Sequence, residues 1–273
     1  MISVLMCGNR GVRDGVILSL LSMVKHTDRE IKLYIATMDL SELNPVYIPL
    51  TEGDRHLFEA ILKKKNPLSS VTLLDTGEHY RRELLGGKNE KSSYTPYAMI
   101  RLLAYLYELG EKILYIDADV MFLSDVGELF DTDIEGYQLA GVKDYYGSRF
   151  ISPRYMNSGV MLWNMKRLRE DGVLSAAREL CYKRKMLLPD QTALNRFAKE
   201  KLYLPRRFNE QQDARPDTVI QHFSMRIRWF PFGTVKIKPW QPELLHEKLG
   251  IYYYDDVIAE WQRYKNESEA AVK

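Results

Sequence analysis

The run Ile113-Leu114-Tyr115-Ile116-Asp117-Ala118-Asp119-Val120-Met121-Phe122-Leu123 constrains this chain more than any other segment. Four apolar residues lead into two carboxylates one residue apart, and apolar residues resume at once. A continuous apolar run marks a strand buried on both faces, as in a parallel sheet covered by helices. Charge at the end of such a strand falls where open α/β sheets bind ligands, beyond their carboxyl ends. Two carboxylates this close repel each other unless a cation sits between them. Asp117 and Asp119 are therefore candidate ligands of Mg²⁺ or Mn²⁺, hard cations often shared with substrate phosphates. Asp-x-Asp also occurs as a solvated turn or a helix N-cap, so the pair alone does not settle its role.

The rest of the chain supports the α/β reading. Residues 2–7 read as a buried strand, 8–11 as a tight loop, and Asp14 as the cap of a helix containing 16–24. A second strand over 31–38, an amphipathic helix over 54–65 stopped by Asn66-Pro67, and a third strand over 71–74 complete a βαβαβ opening. That opening implies a parallel sheet with right-handed crossovers. Residues 79–93 are polar and read as a mobile loop, and Thr95-Pro96 opens a helix to 107. Strands follow at 113–116, 139–142 and 158–164, then helices at 166–185 and 191–199. Residues 206–240 lack periodicity and are rich in aromatics, so they read as an irregular segment closing over a site. A last helix over 256–265 precedes a frayed tail, 266–273. The expectation is one domain, 1–265, with 206–265 as its closing segment.

Composition narrows the function classes. Hydrophobic content of 45% and charged content of 28% are those of an ordinary soluble globular chain. A net charge of +2 gives no basis for nucleic-acid binding. Cys7 and Cys181 have no metal-site spacing and do not require an oxidising compartment, so a cytoplasmic location is the default. The apolar opening segment is too short for a signal peptide or a membrane span. Eighteen tyrosines and four tryptophans point to a flat or ring-shaped ligand.

Five segments together carry a more specific signal. They are residues 97–104 with Arg101-Leu102-Leu103-Ala104, then Tyr115-Ile116-Asp117-Ala118-Asp119, then Met156-Asn157-Ser158-Gly159-Val160-Met161-Leu162. Leu188-Pro189-Asp190-Gln191-Thr192-Ala193-Leu194-Asn195 follows, and last Gln221-His222-Phe223 with Lys238-Pro239-Trp240. In this order the chain resembles the retaining glycosyltransferases of family 8, the group of lipopolysaccharide galactosyl- and glucosyltransferases and glycogenin. The resemblance runs from the first strand to Trp240. It implies a GT-A fold, a Rossmann-like mixed sheet flanked by helices. It also implies a UDP-hexose donor, Mn²⁺ or Mg²⁺ on the diphosphate, and transfer of glucose or galactose with retention to a glycan or glycolipid hydroxyl. Peripheral association with the inner membrane face fits such acceptors; oligomeric state is not legible.

Residue by residue, the resemblance makes Asp117, Asp119 and His222 the metal ligands. Arg101, Asp144 and Asn157 become donor-sugar contacts, and Asn9 a nucleoside contact. Asp190 binds sugar hydroxyls, and Gln191 lies near the anomeric carbon. Glutamine is a poor nucleophile, so front-face transfer is expected rather than the carboxylate double displacement of retaining glycosidases. Lys238 matches a diphosphate contact, yet residues 224–237 are inserted before it, which leaves Arg226 or Arg228 as substitutes. No acidic residue precedes Asn9, a departure at the expected uridine loop. Alternatives are a sugar-nucleotide-binding protein without transfer activity and a nucleotidyltransferase, although Gly8-Asn9-Arg10-Gly11 is too thin for a phosphate loop. A glycosidase built on Asp117 and Asp119 is disfavoured, because side chains at i and i+2 of a strand lie close on one face and leave no room for a sugar between them.

Overall fold

The structure, a computed structural model, describes residues 1–90, 96–229 and 232–270. The chain opens with β1 (Ile2–Cys7), α1 (Arg13–His26), β2 (Ile31–Thr37), α2 (Glu52–Lys63) and β3 (Ser70–Asp75). All three strands are parallel, as the βαβαβ pattern requires. Residues Gly15 to Val24 of α1 are all buried, so this apolar helix lies inside the molecule. α2 starts two residues earlier than expected because Thr51 and Asp54 form a reciprocal capping box. Asp54 also accepts from Arg13 Nε at 2.5 Å. Asp14 does not cap α1; it lies in the first turn, where its carboxylate accepts from Trp261 Nε1 at 3.1 Å.

The segment expected as a mobile loop is ordered over its described part. α3 (Gly77–Glu83) covers its start. Asn89 is fully buried, donates to the Cys181 and Arg184 carbonyls and accepts from Met186 N. The expected helix start at Thr95 lies outside the described residues; α4 (Pro96–Met99) passes into a tighter 3₁₀ turn, Ile100–Leu106. β4 (Lys112–Ile116), β5 (Val120–Phe122), α5 (Gly127–Phe130), β6 (Leu139–Lys143), α6 (Gly147–Phe150) and β7 (Met156–Asn164) follow. The long helix expected after β7 is two, α7 (Met165–Glu170) and α8 (Val173–Lys183). Gly172 at φ +62 separates them, a conformation that favours glycine. Then come α9 (Pro189–Phe197) and β8 (Lys201–Tyr203).

The closing segment is more regular than its sequence suggests. It contains β9 (Ile220–His222) and a hairpin of β10 (Arg226–Trp229) with β11 (Phe232–Val235). α10 (Pro242–Leu249) went unrecognised, and α11 (Asp255–Ala270) runs past the expected boundary at residue 265. Trp261 and Lys25–Asp256 tie α11 to α1, which is why the expected tail begins as helix. Residues 271–273 of that tail lie outside the described residues.

The main sheet has seven strands in the order β3-β2-β1-β4-β7-β6-β8. β1 pairs with both β2 and β4, so the strand order reverses there and opens the crevice in which such sheets hold ligands. β7 runs antiparallel between β4 and β6, which makes the sheet mixed. One face packs against α1, α2 and α11 through Val4, Leu33, Leu114 and Trp261. The other packs against α8, α9 and the 3₁₀ turn through Leu5, Tyr115, Trp163 and Leu174.

Candidate active site

β4 ends at Ile116, and the turn Asp117-Ala118-Asp119 links it to β5. Asp117 N donates to Gly159 O at 2.8 Å, which ties the turn to β7. β5 pairs antiparallel with β9 so that Val120 faces His222. This register brings His222 to the carboxylates from about a hundred residues away. Ligand atoms of Asp117, Asp119 and His222 all lie within 4.8 Å of one another. His222 Nε2 is 3.3 Å from Asp119 Oδ1 and 3.9 Å from Asp117 Oδ2. The space for the imidazole exists because residue 159 is glycine: a Cβ there would sit 2.1 Å from His222 Cε1.

Each ligand is held from behind. Asp117 Oδ1 accepts from Arg101 Nη2 and from Tyr115 Oη, both at 2.8 Å, leaving Oδ2 toward His222. Lys238 Nζ bonds Asp119 Oδ2 and donates to Phe223 O at 3.0 Å, so the lysine reaches the cluster despite the preceding hairpin. Arg226 is engaged by Asp213 and the Gln212 carbonyl instead. Burial would raise the Asp119 carboxyl, but Lys238 and His222 hold it well below the usual carboxylate range. Gly15 lets α1 approach the turn, since a Cβ would meet Ala118 O at 2.5 Å and Trp240 Cζ3 at 2.4 Å.

Arg101 connects this cluster to α9. Its Nε lies 3.2 Å from Asp190 Oδ2, and its guanidinium sits 4.4 Å over the Tyr115 ring, which stacks on Trp163. Burial disfavours its charge, but Asp117, Tyr115 and Asp190 more than offset that and keep it a cation. Burial raises the Asp190 carboxyl, with Arg101 opposing. Pro189 occupies the first turn of α9, so Asp190 is not the N-cap. Burial pushes the neighbouring Cys7 thiol up to about 12, which leaves it a poor nucleophile.

A bulge between Gly141 and Lys143 re-aims the end of β6 and presents Asp144. From it a chain of side-chain hydrogen bonds runs to the candidate metal ligands. Asp144 Oδ2 accepts from Gln191 Nε2 at 3.1 Å and Asn157 Nδ2 at 2.8 Å. Asn157 Oδ1 accepts from Asn209 Nδ2 at 2.9 Å and Gly159 N at 2.9 Å. Asn209 Oδ1 lies 3.2 Å from His222 Nδ1. A carboxylate only accepts, so it fixes the orientation of each amide in turn and makes His222 Nδ1 the N–H. Nε2 is then left with its lone pair toward Asp117 and Asp119, as a metal ligand requires. Gln191 Oε1 accepts from Ser158 N and Oγ at 3.0 and 3.1 Å, so both ends of that amide are fixed.

Arg101, Asp117, Asp119, Asp144, Asn157, Asp190, Gln191, His222 and Lys238 thus converge. Asn9 serves its own loop: Oδ1 accepts from Gly11 N, capping a 3₁₀ turn, and Nδ2 donates to Val46 O. Asn209, Tyr115 and Gly159 are the contributors that sequence reading missed. Asn209 stands in the polar run Asn209-Glu210-Gln211-Gln212-Asp213, which reads as exposed loop, yet it is fully buried because Glu210 bridges to β9.

The pattern of glycosyl transferase family 8 matches residues 3–243. The chain belongs to that family. Among solved structures, galactosyltransferase LgtC in complex with donor and acceptor sugar analogs superposes with a TM-score of 0.69 at 18% identity, covering 94% of this chain and 95% of LgtC. The mixed sheet flanked by helices is accordingly the GT-A fold. General stress protein A of Bacillus subtilis is 27% identical over 92% of this chain and 91% of its own length. A putative glycosyltransferase of Haemophilus influenzae is 24% identical over 70% of this chain. The family 8 chain spans only 58% of that Haemophilus protein.

Proposed function

We propose that this family 8 chain is a metal-dependent, retaining glycosyltransferase that moves a hexose from a UDP-sugar to a glycan or glycolipid hydroxyl. The observation that carries the proposal is the convergence of Asp117, Asp119 and His222 within 4.8 Å at the sheet's switch point, backed by Lys238. Two carboxylates and an imidazole suit Mn²⁺, and Mg²⁺ less well. A cation held there would neutralise charge developing on the leaving diphosphate. Lys238 adds a fixed positive charge beside the same group. Asp144, Asn157 and Asp190 supply acceptors and donors for sugar hydroxyls. Gln191, pinned at both ends, favours a role in positioning and charge stabilisation over nucleophilic attack, in keeping with front-face transfer. Residues 1–265 act as one catalytic unit in this reading, supported by the bond from Trp261 of α11 to Asp14 of α1.

The test is a donor panel. Purified protein with Mn²⁺ is given UDP-glucose, UDP-galactose, UDP-N-acetylglucosamine and GDP-mannose, and free nucleoside diphosphate is measured. Chelator-sensitive release with a UDP-hexose is expected. Release from none of the four sinks the proposal, and preference for GDP-mannose removes the uridine part. With both ends of Asn9 occupied, its uridine role is tested by the same comparison.

A further inference from the structure

A cavity of about 360 Å³ adjoins the candidate site. It lies between the end of β6, α6 and the segment after β8, and is lined by Lys143, Asp144, Tyr145, Arg149, Tyr203 and Arg206. Asp144 belongs to both sites. Three cations gather around this small volume on tyrosine rings. Arg149 sits 4.2 Å over the Tyr145 ring, Arg206 sits 5.2 Å from the same ring, and Lys143 lies 5.5 Å over Tyr203. Arg206 is paired with Glu210, which also faces Arg215 at 3.6 Å. Among the described residues, Lys143 and Arg149 have no carboxylate within ion-pair distance. Asp144, held by Tyr146 N, Gly147 N, Asn157 and Gln191, forms no ion pair with either; its single negative charge offsets one of these two cations, so the lining keeps an excess of positive charge. Like charges drawn into one concavity raise its potential and concentrate anions there. Arginine in particular matches carboxylate and phosphate geometry.

We propose that this cavity is the acceptor subsite and that it selects a sugar carrying an anionic group, a phosphate or a carboxylate. The anion lies between Lys143 and Arg149, and the sugar ring lies against Tyr145 and Tyr203, beside Asp144. This rests on the transferase reading above and names the substrate class that reading leaves open.

The test uses the donor the protein cleaves fastest, with Mn²⁺, and three acceptors on one scaffold: a methyl hexoside, its 6-phosphate and the matching methyl hexuronide. At least one anionic acceptor should exceed the neutral one about tenfold in kcat/KM at low salt, with the gap closing as salt screens the charges. The phosphate and hexuronide arms separate the two anion types. The double variant Lys143→Gln/Arg149→Gln should lower the anionic-to-neutral ratio about tenfold, and Arg149→Lys should retain most of it. No anionic preference, or transfer to none of the three, overturns the subsite. So does a ratio unmoved in the double variant. Nucleoside diphosphate release is scored separately, with and without acceptor. Release with no anionic preference removes only the subsite; no release from any donor in either condition removes the transferase reading and the subsite together.

Discussion

The two sides of the candidate site are built differently. The carboxylate turn follows from one local run: Ile113 to Ile116 is buried on both faces, and Asp117 and Asp119 emerge where β4 stops. The histidine and lysine come from a segment with no strong local signal. They are placed by pairings distant in sequence, Val120 with His222 and Lys238 with Asp119. The first side is specified by hydrophobic burial, which sequence patterns record. The second is specified by register and hydrogen-bond direction, which they do not. The hydrogen-bond chain through Asn157 and Asn209 is the seam between them.

Substitutions can separate these contributions. Asp119→Ala should have the largest effect, a loss on the order of a thousandfold or more in nucleoside diphosphate release, because it removes a metal ligand. Retained turnover would show that the turn is not the metal anchor. Gly159→Ala acts from the seam. Its Cβ would displace the His222 ring, so Mn²⁺ affinity by electron paramagnetic resonance should fall about 100-fold. Unchanged affinity would mean that His222 is not a ligand. Asn209→Ala removes the partner of His222 Nδ1 and of Asn157 Oδ1 but introduces no bulk against the imidazole. Losing the Nδ1 partner should cost roughly tenfold in Mn²⁺ affinity, measured the same way. A smaller cost than for Gly159→Ala is the required order.

Asp54→Ala, outside the site, should change turnover per folded molecule least. It should lower stability to urea by about 1–2 kcal/mol at neutral pH through loss of the capping box. Burial would raise the Asp54 carboxyl, but the Thr51 backbone N–H and Arg13 lower it overall. A depressed folded pKa means the stabilisation is complete above the unfolded value, ~3.9, and fades as pH falls through the lower folded one. The difference between Asp54→Ala and the parent should therefore narrow below about pH 4 in urea titrations. A constant difference would show that the charge of Asp54 is irrelevant to it.

The opening βαβαβ, the strands β4, β6 and β7 and the acidic turn were legible because each is an apolar run with clear punctuation. The errors share a cause. Residues 77–83 and 242–249 are polar enough to pass for loop, yet tertiary contacts hold them helical. Gly172 was overlooked as a break inside a helical pattern. Most candidate site residues were found through the family resemblance rather than through periodicity. Asn209 escaped because a buried polar residue is defined by its partners, and Asn157 and His222 are remote in sequence.

The hairpin before Lys238 bears on how such a chain can diversify. β10 and β11 pair with each other and outside the main sheet. The two ends of the excursion meet again where Phe223 O accepts from Lys238 Nζ. An antiparallel hairpin returns to its point of departure whatever its length, so this stretch behaves as an exchangeable cassette. It rests on the residue just before α6, where Ile227 N donates to Tyr146 Oη beside Tyr145. Trading one cassette for another would therefore alter the surroundings of the cavity while the carboxylate turn stays as it is.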